Sequence, residues 1–99
     1  MGKKILWVSR HIPSQEQIDE LDKLGFSEIV VHKQRVDTAE KVVSLMRKKK
    51  ADDVMVVCPW DMLKDLLTLG IKPIKSVMKN KARFVRFERI VEIKTEDVV

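Results

Sequence analysis

One cysteine, Cys58, is all that the sequence carries, so no internal disulfide can form and the chain suits a reducing compartment. No Cys/His pair stands at the spacing of metal ligands, which argues against a structural zinc site. No apolar run is long enough to span a bilayer. The opening residues, Met1 to Arg10, lack the apolar stretch of a secretion signal, so a cytoplasmic location is expected. Neither a GxGxxG turn for a dinucleotide nor a phosphate loop for a nucleoside triphosphate occurs. A GxSxG nucleophile elbow is also missing. No repeat, linker or low-complexity stretch divides the chain, so a single domain over residues 1–99 is expected.

What is present is the composition of a folded protein, 44% apolar and 35% charged. The net charge of +5 tolerates an anionic partner without requiring one. Lysines and arginines are spread along the chain, with one cluster at Arg47-Lys48-Lys49-Lys50. That cluster ends a predicted helix, where cations complement the negative end of the helix dipole.

The apolar spacing predicts three βα units and a β-rich end. Ile5-Leu6-Trp7-Val8 is a continuous apolar run within a strand over Lys4–Val8, as expected of a strand buried on both faces. Ser14 and Gln17 form a capping box at the start of a helix whose inward positions are Ile18, Leu21 and Leu24, and Gly25 stops it. A second strand covers Glu28–Lys33. A second capping box is expected at Asp37-Thr38-Ala39-Glu40, opening a helix with Ala39, Val42, Val43 and Met46 inward. Asp53–Cys58 reads as the third strand. Pro59-Trp60-Asp61 opens a third helix, with Leu63, Leu66 and Leu67 inward and Gly70 at its end. Beyond Pro73, Ile74–Met78 reads as a strand and Asn80-Lys81 as a turn. Arg83–Ile93 then alternates, with Val85, Phe87, Val91 and Ile93 on one side. Right-handed crossovers make the first strands parallel.

In such sheets ligands bind beyond the carboxyl ends of the strands. The segments that emerge there are Ser9-Arg10-His11-Ile12-Pro13-Ser14, His32-Lys33-Gln34-Arg35 and Cys58-Pro59-Trp60-Asp61. His11 is the sharpest candidate: an imidazole beside a guanidinium can move a proton while Arg10 holds a phosphate. The plainer reading of both is a solvated loop. Ser9 is a hydroxyl donor or simply the end of the strand. Ser14 has a full explanation as a cap, though a cap hydroxyl can share itself with an anion. Trp60 offers a stacking face or closes the core edge. Asp61 suits a helix start, Lys33 and Arg35 are phosphate candidates, and His32 reads as a strand-end residue. Cys58 needs a base and a lowered pKa to act as a nucleophile, and a buried strand-end thiol is the better reading.

The run Ser9-Arg10-His11-Ile12-Pro13-Ser14-Gln15-Glu16-Gln17, with the helix ending Leu24-Gly25, resembles the small CRISPR-associated proteins of the CARF-like (CRISPR-associated Rossmann fold) ring nuclease type. The resemblance implies a Rossmann-like three-layer α/β sandwich with a mainly parallel sheet and a C-terminal β-hairpin. It further implies a homodimer that binds a cyclic oligoadenylate across its two-fold axis, and metal-independent cleavage by a ribose 2′-hydroxyl, without a cofactor. On that reading His11 and Arg10 are catalytic, and Ser9, Ser14, Lys33, Pro59, Trp60 and Asp61 join them in binding. A sensor or sponge that does not cut the ring, and a small basic module that binds DNA, RNA or a protein, are the alternatives. The basic run Arg83–Arg89 is the feature that favours the last of these.

Overall fold

The computed structural model describes residues 2–79 and 83–92. The elements run β1 (Lys3–Val8), α1 (Gln15–Lys23), β2 (Phe26–His32), α2 (Ala39–Lys49), β3 (Asp53–Val56), α3 (Trp60–Thr68), β4 (Ile74–Lys79) and β5 (Arg83–Arg89). They build one five-stranded sheet in the order β2-β1-β3-β4-β5. β1 pairs in parallel with β2 and with β3, β3 pairs in parallel with β4, and β4 pairs antiparallel with β5. The chain is α/β with a mostly parallel sheet. No helix among the described residues is long and apolar enough to cross a membrane.

β1 lies between β2 and β3, and its apolar run divides by the two-residue period of a strand. Leu6 and Val8 join Ala39 and Val42 of α2 and Met62 and Leu66 of α3. Ile5 and Trp7 join Leu21 of α1, Phe26, Met55 and Ile74. Ile5 and Leu6 are wholly buried and Trp7 is 2% exposed, so a run without alternation serves two apolar clusters. A β-branched or aliphatic side chain buried this way contributes about 1.5–3 kcal/mol.

Helix α1 begins as its capping box dictates. The Gln17 N–H donates to Ser14 Oγ at 3.3 Å, and the Ser14 N–H donates to Gln17 Oε1 at 2.9 Å. Its inward stripe differs from expectation. Leu21 is buried, but Ile18 is 36% and Leu24 47% exposed, and Gln17 turns inward instead. The Gln17 side chain can do so because Nε2 also donates to Ser76 Oγ of β4 at 3.4 Å. Gly25 follows the helix with φ +96°, a left-handed backbone that a residue with a Cβ adopts at a cost.

The second capping box is absent. Thr38, not Asp37, caps α2 by accepting from the Lys41 N–H at 3.3 Å. The residue three beyond this cap is Lys41, which cannot return a bond and instead reaches Asp37 at 2.7 Å. Glu40 is left in the first turn, where its charge suits the dipole. The Arg47-Lys48-Lys49 run does close α2, and Lys50 follows as a left-handed cap at φ 55°. On α3, Met62 is buried beside Leu63 and Leu66, while Leu67 is only half-buried. β2 starts two residues earlier than expected, at Phe26, and β3 ends two residues sooner, at Val56.

β5 departs most from the alternating pattern. Val77 pairs with Arg86 but Met78 pairs with Phe84, so Val85 is an extra residue, a β-bulge. The bulge shifts the phase. Phe84 and Phe87 come together with ring centroids 4.7 Å apart, and Phe87 meets Trp7 edge-on at 6.1 Å. Val85 and Val91 are exposed by 47% and 60%, not inward. The expected turn at Asn80-Lys81 and the inward position expected for Ile93 lie outside the described residues.

Candidate functional site

The strand order decides where a ligand can enter. From β1 the chain moves to β2 on one side, then crosses to β3 on the other. The loops after β1 and β3 therefore part, and a crevice opens at their carboxyl ends. A cleft of about 280 Å³ lies there. Its walls are Val8 to His11 from the end of β1, Gln34 to Val36 from the β2–α2 loop, and Val56, Val57 and Pro59 from the β3–α3 loop. Val8 and Val56 are 4% and 3% exposed, so the floor is apolar and the rim polar.

The sheet anchors the loops that carry this rim. The Ser9 N–H donates to His32 O at 3.3 Å, and the Val57 N–H donates to Val8 O at 3.2 Å, each continuing a strand ladder. The His11 N–H donates to Ser9 Oγ at 3.2 Å, which folds the loop back on itself. Trp7 Nε1 donates to His11 O at 2.9 Å, so a buried indole holds the segment from below. The His11 backbone is thus fixed twice while its imidazole stays exposed.

Every titratable residue of the cleft is basic: Arg10, His11 and Arg35. None of their side chains has a hydrogen-bond or ion-pair partner among the described residues. Some cations outside the cleft are paired. Lys4 meets Glu28 at 3.3 Å, Arg86 meets Glu88 at 2.6 Å and Arg89 meets Asp53 at 2.6 Å. Much of the positive charge of β5 is therefore matched locally, while that of the cleft is not. Two guanidinium groups, an imidazole, a hydroxyl and the Gln34 carboxamide make a donor set suited to phosphate oxygens.

The remaining sequence candidates lie apart from this cleft, Pro59 excepted. Ser14 is occupied in its capping box. Lys33 is exposed just beyond β2 and lines neither this cleft nor its neighbours. Pro59 lines the cleft and precedes α3 without a side-chain cap. Trp60 is 62% exposed and borders a second, smaller cleft of about 150 Å³ with Cys58, Leu63, Lys75 and Ser76. Lys75 Nζ stands 5.5 Å from the Trp60 ring centroid, a cation–π contact. Asp61 is exposed in the first turn of α3. Cys58 is half-buried, and that burial pushes its thiol pKa above the ordinary value, which disfavours the thiolate a nucleophile needs. His32 sits at the end of β2, in a groove beside the main cleft.

Sequence reasoning gave Gln34 no ligand role and Arg35 only a minor one, although both line the cleft. The signal that could have found them is their position directly after β2. Among the described residues no group of three His, Cys, Asp or Glu side chains is placed to hold a metal ion. No family model, curated protein or solved structure matches the chain.

Proposed function

We propose that the protein binds a cyclic oligoadenylate in the β1/β3 cleft of a homodimer and opens the ring without a metal, within a Rossmann-like three-layer sandwich. The observation that carries this reading is the convergence of Ser9, Arg10, His11, Gln34 and Arg35 on one cleft whose guanidinium groups make no hydrogen bond or ion pair among the described residues. A phosphodiester supplies the missing anion. A symmetric ring of phosphates suits two copies of one loop set across a two-fold axis. The resemblance of Ser9–Gln17 to ring nucleases gives the ligand class.

In the reaction, a ribose 2′-oxygen attacks the adjacent phosphorus in line. The new 2′-O–P bond forms as the P–5′-O bond breaks, leaving a 2′,3′-cyclic phosphate and a 5′-hydroxyl. His11 takes the 2′-hydroxyl proton, and the departing 5′-oxygen takes one from water. Arg10 and Arg35 meet the charge that grows on the non-bridging oxygens. Holding the 2′-oxygen in line supplies much of the acceleration. Trp60, exposed at the start of α3, offers an adenine a stacking face.

The test is incubation of the purified protein with cyclic oligoadenylates of several ring sizes in the presence of a chelator, followed by chromatography. Linear products with a cyclic-phosphate end, lost in His11→Ala, are expected. A ring that co-elutes uncut marks a sensor. Absence of both binding and cleavage overturns the reading and favours the basic nucleic-acid module, whose binding weakens steeply with salt.

A further inference from the structure

The β1/β3 cleft does not end at Arg35. Gln34, Arg35 and Val36 also line a neighbouring groove of about 350 Å³, which continues past His32 along one face of α2. Lys41, Ser44 and Lys48 edge this groove at helical spacing. From Lys41 to Lys48 the helix rises about 10 Å. Among the described residues, the groove, like the cleft, has no carboxylate in its lining. The carboxylate of Asp37 lies 2.7 Å from Lys41 Nζ, and that contact holds its pKa below the ordinary range. Lys48, His32 and Arg35 make no side-chain hydrogen bond or ion pair among the described residues, although the Arg35 charge also acts on the Asp37 carboxylate. Arg10, Arg35, Lys41 and Lys48, with His11 and His32 among them, thus form one basic track around the end of β2, in which Lys41 shares its charge with Asp37.

We infer that the groove beside α2 is a second phosphate subsite, continuous with the cleft through Arg35, and that a linear oligoadenylate, the form an opened ring takes, spans both. The inference rests on the reading of the cleft as a nucleotide-phosphate site, and it adds direction: the phosphodiester backbone runs from the Ser9–His11 loop toward Lys48. A ligand with one phosphate fills the cleft alone. A longer oligonucleotide engages the α2 face as well and gains affinity through charge.

The experiment titrates the protein with adenosine monophosphate and with linear tri- and tetra-adenylate at several salt concentrations. Wild-type protein is expected to bind the tetramer at least ~tenfold more tightly than the monomer. Its log K should also fall more steeply with log salt, by about 0.7 for each added phosphate contact. In Lys48→Glu the tetramer-to-monomer ratio should collapse toward one. Lys64→Glu makes the same charge change on the exposed face of α3, outside the track, and should keep the wild-type ratio. A wild-type ratio near one, or a ratio that Lys48→Glu leaves intact, overturns the second subsite while leaving the cleft reading in place. Binding of neither the monomer nor a linear adenylate also overturns the subsite, while the cleft reading is decided by the ring assay above.

Discussion

Arg89 joins two strands that are not neighbours. β4 lies between β3 and β5, yet the Arg89 guanidinium at the end of β5 reaches Asp53 at the start of β3. Nη1 donates to Oδ1 at 2.8 Å and Nη2 to Oδ2 at 2.6 Å, while Nη1 also donates to Lys72 O at 2.7 Å. The carboxylate is fixed further by the Val54 N–H at 2.9 Å. Arg89→Met removes all three guanidinium bonds and leaves Asp53 with one. A hydrogen bond to a charged group contributes about 1.5–3 kcal/mol when buried, and a fully exposed ion pair about 0.2–1. The Asp53 side chain is 16% exposed and that of Arg89 44%, so the pair falls between these limits. We expect a coupling of about 1–2 kcal/mol and a total loss near 2 for Arg89→Met. For a domain of this size that lowers Tm by about 10 °C. The contact with Asp53 raises the Arg89 pKa above its already high value, so the guanidinium is charged throughout any practical pH range. The assay is urea unfolding followed by the fluorescence of buried Trp7, for wild type, Arg89→Met, Asp53→Asn and the double variant. A coupling below about 0.5 kcal/mol would show that solvent screening defeats the bidentate geometry and would refute the reasoning.

Three further outcomes are expected. Lys50→Gly should raise stability by about 1 kcal/mol, since the left-handed backbone at φ 55° costs a lysine what it does not cost glycine; an unchanged or lower urea midpoint would count against this. Leu6→Ala, at a wholly buried position on β1, should cost about 2–5 kcal/mol, whereas Val31→Ala on edge strand β2, 39% exposed, should cost less than half as much; equal losses would contradict the strand order. Cys58 should be alkylated more slowly than a free thiol near neutral pH, because burial raises its pKa. The neutral thiol's contribution to stability is complete below the ordinary thiol value and is lost as pH rises through the raised one. Alkylation of the folded protein as fast as that of a free thiol would remove the burial argument.

Features decided by residues close in the chain are legible in the sequence itself. Ser14 and Gln17 lie three apart, so their reciprocal cap follows from helical geometry alone. Gly25 marks a helix end because only the backbone beside it matters, and the unbroken Ile5–Val8 run announces a strand covered on both faces. The carboxyl edge of the sheet is likewise readable as the place to search, since parallel strands all end there. What neighbours in sequence cannot decide is which strands adjoin. Placing β2 and β3 on opposite sides of β1 is a packing outcome, and it alone brings Gln34 and Arg35 against Ser9, Arg10 and His11 while leaving Trp60 at a separate cleft. The bulge at Val85 arises from pairing with β4: it keeps Phe87 inward, as strict alternation assigns, but puts Phe84 beside it in place of Val85. Arg89 and Asp53, 36 residues apart, meet only because β4 sets their strands at a fixed distance. Local periodicity and capping are properties of a few consecutive residues, whereas adjacency in a sheet depends on how all the apolar faces are buried together.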